Sequence, residues 1–121
     1  MSNILIAYNI QFFRRNILGN FRNIMISINP LLDQFITDYK TPDEINEFLI
    51  AEINSILNGT VASETIISES IVSANISISN TGLHQDPDYD HSSNPDYELP
   101  TIQLLEISQV WLQFVMSNHA S

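Results

Sequence analysis

The run Leu99–Met116 constrains the fold more than any other stretch of this chain. It holds the only tryptophan, Trp111, and its apolar residues occupy almost every side of a helix. They are Ile102, Leu104, Leu105, Ile107, Val110, Trp111, Leu112, Phe114, Val115 and Met116. Other elements must cover such a helix, so the pattern predicts a buried helix packed on a sheet.

The residues before the acidic segment predict that sheet. Apolar Val72, Ala74, Ile76 and Ile78 alternate with Ser73, Asn75, Ser77 and Ser79, which is typical of a half-buried antiparallel strand. Glu64–Ser70 is the predicted hairpin partner of this strand. Asn80–Gly82 has the composition of a turn.

Two helices have clear start signals. Asn29 before Pro30 favours a short helix, because asparagine caps well and proline suits the first helical position. Thr41–Glu44 reads as a capping box for a second helix, which Asn58-Gly59 ends. The second helix buries Ile45, Phe48, Leu49, Ile53, Ile56 and Leu57 on one face in this interpretation.

The N-terminal residues Asn3–Asn29 fit more than one pattern. Ile4, Ile6, Tyr8, Ile10 and Phe12 alternate as in a strand, whereas Phe13, Ile17 and Phe21 recur at helical spacing. We favour a helix near Asn9–Leu18, a stop or turn at Gly19-Asn20, and a strand near Arg22–Ile28.

These elements predict an α+β fold in which three to four helices pack on an antiparallel sheet. With 121 residues, the chain has the length of one domain, 1–121. The 44% of hydrophobic residues and only 15% of charged residues argue against intrinsic disorder.

The distribution of charge is strongly uneven. The net charge is −10, and the four basic residues all lie in the first forty positions. Thr41–Ser121 contains twelve acidic residues and no lysine or arginine. Such a field repels nucleic acid and attracts basic proteins, although acidity can also serve only to keep a small domain soluble.

Several functional classes find no support in the sequence. There is no cysteine, and three glycines leave no glycine-rich phosphate loop. Asp86, Asp88 and Asp90 match the first positions of a calcium loop, but His91 replaces the glycine that such a loop needs. We therefore expect no enzyme activity, cofactor, metal or membrane segment, and a cytoplasmic location.

The loop Asp86–Glu98 is the predicted contact surface. Its tyrosines can bury rings in an interface, its prolines limit the entropy lost on docking, and its carboxylates can meet lysine and arginine side chains. The candidate contact residues are Asp86, Asp88, Tyr89, Asp90, Asp96, Tyr97 and Glu98, with Glu44, Glu47 and Glu52 as a second patch. The alternatives are an ordered connector for the loop and a solvated helical face for the glutamates.

The C-terminal third also resembles a known class of proteins. The block Asp88-Tyr89-Asp90 … Asp96–Thr101, followed by Leu105, Ile107, Trp111 and Phe114, is similar to the end of small bacterial immunity proteins. These proteins accompany contact-dependent growth inhibition and polymorphic toxins. The resemblance implies a cytoplasmic antitoxin that binds its cognate toxin domain, often a nuclease, and blocks the active site. The acidic field of this chain independently fits an inhibitor of a basic nuclease. The alternatives are an acidic adaptor or structural module, or a divalent-cation-binding domain.

Overall fold

The structure is a computed structural model and describes residues 3–85 and 94–118. This part of the chain forms four helices and two antiparallel sheets. The helices are α1 (Ile4–Ala7), α2 (Pro30–Thr37), α3 (Pro42–Glu44, then a π-helical segment Ile45–Ile50, then Ala51–Leu57) and α4 (Thr101–Ser117). The strands are β1 (Gln11–Ile17), β2 (Asn20–Ile26), β3 (Ser63–Ile67), β4 (Ser73–Ser77), β5 (Asn80–His84) and β6 (Tyr97–Pro100). The predicted α+β class is confirmed.

The N-terminal segment is a β-hairpin. The predicted helix near Asn9–Leu18 is wrong, since Gln11–Ile17 is strand β1 and pairs with β2. The predicted strand near Arg22–Ile28 is confirmed as β2, which begins two residues earlier. The helical spacing of Phe13, Ile17 and Phe21 was misleading, because all three side chains are exposed at the surface of the hairpin.

The turn of this hairpin explains why a strand pair forms. Leu18 and Gly19 have φ angles of 51° and 86°, and Ile17 pairs with Asn20 on either side of them. Two consecutive residues with positive φ are the hallmark of the two-residue hairpin turn whose twist matches the strands. The Gly19 N–H also donates to Asn16 Oδ1 at 3.0 Å.

Both predicted helix starts are confirmed. Asn29 Oδ1 accepts hydrogen bonds from the backbone N–H groups of Leu31 and Leu32 at 2.9 and 3.3 Å. Thr41 Oγ1 accepts from the Glu44 N–H at 3.1 Å. Each cap satisfies backbone donors that a helix start leaves open, so residues adjacent in sequence suffice to place both starts.

The four-stranded sheet has the order β3-β4-β5-β6, and every neighbouring pair is antiparallel. The predicted inward residues Val72, Ala74 and Ile76 are buried, whereas Ile78 is exposed. The predicted turn at Asn80–Gly82 is wrong, since those residues begin β5. The connection between β4 and β5 is two residues earlier, which carries Ile78 out of the core.

The loop predicted to reach Glu98 is shorter than expected at its C-terminal end. Tyr97 and Glu98 belong to β6, where they pair with Leu83 and Gly82. The chain passes directly from β6 into α4 at Thr101, whose hydroxyl donates to the Ser77 carbonyl oxygen at 2.6 Å. This bond ties the start of α4 to the sheet.

The predicted core helix is confirmed as α4. Leu104, Ile107, Trp111 and Val115 have no solvent-exposed surface, and α4 packs against α1, α3 and the four-stranded sheet. None of the described helices combines the length and apolar character that crossing a membrane requires.

Candidate functional site

A cleft of about 560 Å³ lies on the four-stranded sheet, and we call it the acidic cleft. Its lining residues include two acids, Glu64 on β3 and Glu98 on β6, and no lysine or arginine. Strand register directs their side chains to opposite faces of the sheet, because Glu98 shares a row with Gly82 whereas Glu64 shares a row with the buried Ile76. The remaining lining residues are Ser63, Thr65, Asn75, Ile76, Ser77, Asn80, Gly82, His84 and Pro95. The cleft is therefore polar, and the charged side chains in its lining are both anionic.

The register of the strands creates this cleft. Thr65, Asn75, Gly82 and Glu98 are direct neighbours across the four strands and so lie in one row. Gly82 leaves the middle of the row without a side chain, and a Cβ atom at this position would lie only 2.9 Å from Cβ of Pro95. Glycine is thus required where the chain before β6 crosses the sheet.

Side-chain hydrogen bonds fix the floor of the cleft. The Thr65 hydroxyl donates to Asn75 Oδ1 at 2.9 Å, and Asn75 Nδ2 donates to His84 Nε2 at 3.1 Å. His84 is almost completely buried. Since each of these groups is held by a neighbour, the floor is rigid and presents a defined polar surface to a ligand.

A pair of carboxyl groups stands at one edge of the cleft. Glu64 contacts Glu52 of α3, and the buried Oε2 atom of Glu64 has no hydrogen-bond partner among the described residues. The hydrogen bond to Glu52, together with burial and repulsion by the Glu52 charge, raises the pKa of Glu64 to about 7. Two carboxylates cannot share such a contact without a proton or another cation between them.

This pair predicts an unusual dependence of stability on pH. Because the folded protein holds the Glu64 proton more tightly than an unfolded chain, the free energy of unfolding should fall as pH rises from about 4.5 to about 7. Glu64→Gln should remove this slope and stabilise the protein at pH 8 by about 1 kcal/mol, a value reduced for solvent screening. Urea unfolding across this pH range measures both effects.

The matched control is Glu47→Gln, which removes the same charge from an exposed position of α3. A slope between pH 4.5 and 7 that is equal in Glu64→Gln and in the unsubstituted protein would contradict the shared proton.

The predicted loop residues have different positions relative to this cleft. Asp86, Asp88, Tyr89 and Asp90 lie outside the described residues. Asp96 is exposed, and its carboxylate accepts the Gln85 N–H at 2.8 Å. Glu98 is exposed and lines the cleft, so it is the predicted contact residue with the clearest place in the site.

Tyr97 is partly withdrawn from the surface. It is half-buried, packs against the hydrophobic core, and its pKa is raised by burial. Its neighbour Tyr8 also has a raised pKa, first from burial and then from Tyr97 and Glu106. Only part of the Tyr97 ring is available to a partner.

The three helical glutamates of the second predicted patch have separate environments. The Glu44 carboxylate accepts the Thr41 hydroxyl at 3.3 Å and so belongs to the helix cap. Glu47 is exposed, as the solvated-face alternative expects. Glu52 alone contacts a residue of the acidic cleft, Glu64.

Sequence reasoning did not identify Glu64, Asn75 or Gly82 as site residues. Asn75 and Gly82 share a row, and Glu64 lies in the adjacent row, only through strand register, which fixes neighbours far apart in sequence. A glycine within an otherwise strand-like stretch was the one available signal, because it often marks a close approach of another backbone.

The arrangement can bind cations better than it can catalyse a reaction. Glu64 and Glu98 lie on opposite edge strands, roughly 14 Å apart for strands spaced about 4.8 Å, which is too far to act on one bond. A guanidinium or ammonium group could instead replace the proton between Glu52 and Glu64. Within residues 3–85 and 94–118, no three metal-ligating side chains converge to hold a metal ion.

No protein-family model matches this chain, and comparisons with curated proteins and with solved structures give no significant match.

Proposed function

We propose that this chain is an immunity protein, a cytoplasmic antitoxin that binds and inhibits a basic toxin domain, with a nuclease as the favoured class. The observation that carries the proposal is the acidic cleft, whose lining contains Glu64 and Glu98 but no basic side chain. A cleft of this kind can accept the cationic side chains with which a nuclease holds phosphates.

The acids of the described residues are not neutralised by the arginines. Lys40 pairs with Glu69 at 3.1 Å, and both side chains are more than half exposed, so this pair contributes little. None of the three arginines forms an ion pair with a carboxylate of residues 3–85 or 94–118. The negative field therefore remains available to attract a basic partner.

The mode of inhibition would be mimicry of phosphate groups. A lysine or arginine of the toxin binds at the Glu52–Glu64 pair and displaces the proton held by Glu64. A second cationic side chain of the toxin binds Glu98 at the opposite edge of the sheet. Since Glu64 holds its proton up to a pH of about 7, this binding should weaken as pH falls below 7.

The experiment uses the polypeptide encoded immediately upstream as the partner. If that polypeptide ends in a variable basic domain, Glu98→Lys should slow association with the domain by tenfold or more, because charge reversal removes part of the steering field. Increasing salt should narrow the difference in association rate between Glu98→Lys and the unsubstituted protein. Stopped-flow or surface-binding kinetics across a salt series measure both effects.

Glu69→Lys is the matched control, since it makes the same charge change at an exposed position outside the cleft. Association equally slow in both variants would show a general charge effect and no specific site. Rates that do not depend on salt would count against electrostatic steering altogether.

The same kinetic experiment tests the remaining predicted contact residues. Charge reversal at Asp88 and Asp90 should also slow association and weaken protection while leaving the fold intact. Calorimetry with Ca²⁺ addresses the alternative of a cation-binding domain, for which heat of binding at micromolar Ca²⁺ would be required.

A further inference from the structure

A second groove, of about 670 Å³, lies between β2 and α2 and shares no lining residue with the acidic cleft. We call it the hairpin groove. It is lined by Arg14, Ile17, the β2 residues Asn20–Ile26, the α2 residues Pro30, Asp33, Gln34 and Thr37, and by Lys40 and Asn118. Its volume is within the range of ligand-binding sites in proteins.

The hairpin groove collects the positive charge of this acidic chain. Arg14, Arg22 and Lys40 line it, which is three of the four basic residues. Asp33 is the one acid in the lining, and burial raises its pKa despite the hydrogen bond that its Oδ1 accepts from Ser27 at 2.6 Å. The charge of the groove therefore favours an anionic ligand.

The groove also exposes apolar surface. Ile17, Phe21 and Ile26 line it and are each more than a third exposed. The Arg14 guanidinium lies 4.8 Å from the centre of the Phe21 ring and donates a hydrogen bond to the Asn118 carbonyl oxygen. A ligand that fits this lining combines acidic with apolar groups.

One wall of the groove is the open edge of a β-strand. The Met25 N–H does not bond to β1 but donates to Thr37 Oγ1 of α2 at 3.1 Å. In an antiparallel pair, alternate residues direct both backbone groups away from the partner strand. By this alternation the backbone groups of Phe21 and Asn23 also face away from β1 and towards the groove.

An unsatisfied acceptor lies beside this edge. The Asn23 Oδ1 atom is buried and has no hydrogen-bond partner among the described residues, although a buried polar atom without a partner is costly. A fatty acid would supply no donor to this oxygen or to the open carbonyl groups of β2. A peptide backbone supplies one N–H from each residue.

We propose that the hairpin groove binds an extended peptide segment of another protein, with alternating acidic and apolar side chains, which adds to β2 as a third strand. The N–H and C=O groups of the peptide pair with β2, its apolar side chains cover Phe21 and its neighbours, and its carboxylates meet Arg22 and Lys40. This surface is independent of the acidic cleft and suits a ligand of the opposite charge.

A second copy of this chain is the less suitable occupant of the groove. Pairing of two β2 edges would bring Arg14, Arg22 and Lys40 of both copies together, and like charges at close range oppose association. The test must therefore also measure whether the chain forms dimers through this groove.

The probe is a short, end-blocked, dye-labelled peptide that alternates glutamate and leucine, followed by fluorescence anisotropy. We expect it to bind the full chain, and binding to weaken tenfold or more when lysine replaces glutamate or when alternate backbone nitrogens are methylated. Equal affinity for the methylated peptide would overturn strand addition. Displacement of the peptide by laurate at equal concentration, or self-association of the chain through the groove, would overturn the choice of occupant.

The chain offers a matched pair of variants for this experiment. Arg15 and Arg22 are directly opposite each other on the two strands, yet only Arg22 lines the groove. Arg22→Glu should weaken binding of the glutamate–leucine peptide tenfold or more, whereas Arg15→Glu should leave it within about twofold. An equal loss in both variants would overturn the assigned site, and circular dichroism of each variant is the check that it remains folded.

Discussion

Trp111→Ala is expected to lower the free energy of unfolding by about 3–5 kcal/mol, the range for removal of a fully buried aromatic side chain. Trp111 has no exposed surface, and its ring centre lies 5.8 Å from that of Phe12 and 5.9 Å from that of Phe114. Phe12 belongs to β1 and Phe114 to α4, so the tryptophan joins the hairpin to the core helix. Its removal leaves a cavity at this junction.

Trp111 also donates a hydrogen bond, and a second variant measures the contribution of this bond to stability. Trp111 Nε1 donates to the Tyr39 carbonyl oxygen at 2.8 Å, a buried contact between α4 and the chain after α2. Trp111→Phe keeps a ring but removes the donor, and should cost about 1–3 kcal/mol. Urea unfolding followed by far-ultraviolet circular dichroism measures both variants. A loss below 1 kcal/mol for Trp111→Ala would contradict the packing described here.

Asp38→Ala is expected to cost about 3 kcal/mol, because it removes a buried charged acceptor and leaves its donors without a partner. The carboxylate accepts hydrogen bonds from the Ser68 hydroxyl at 2.6 Å, the Ser70 N–H at 2.9 Å, the Ser70 hydroxyl at 2.8 Å and the Gln34 amide at 2.8 Å. These bonds join the end of α2 to the connection between β3 and β4.

The same bonds determine how Asp38 responds to acid. Burial acts to raise the pKa of Asp38, but the hydrogen bonds from Ser68, Ser70 and Gln34 outweigh it and lower the pKa below its ordinary value. The stabilisation is therefore present above the ordinary aspartate pKa near 4 and is lost as pH falls below it. Urea unfolding from pH 7 to pH 3 should show the difference from Asp38→Ala shrinking with acid.

Asp43→Ala is the control for this series, since Asp43 is an exposed acid in the first turn of α3. Its loss should cost about 0.5 kcal/mol through the helix dipole. A pH-independent difference between Asp38→Ala and the unsubstituted protein would contradict the role of the ionised carboxylate.

Local signals in the sequence were sufficient for α2, α3 and α4, whereas α1 was not predicted. The caps at Asn29 and Thr41 act on backbone groups two or three residues away, so their effect can be read without knowledge of the fold. The apolar character of α4 likewise predicted its burial. The N-terminal hairpin was missed because Phe13 and Ile17 fit a helix by spacing, and the turn at Leu18-Gly19 decided otherwise.

The sequence by itself determined the fold class, the two helix starts, the buried helix α4 and the excess of negative charge over Thr41–Ser121. It also placed Glu98 and Glu52 among the predicted contact residues. Only the tertiary structure brought Glu64 into contact with Glu52 and brought Arg14, Arg22 and Lys40 to one groove. The physical reason is that strand register and helix–strand packing join residues distant in sequence, and no local pattern encodes which of them become neighbours.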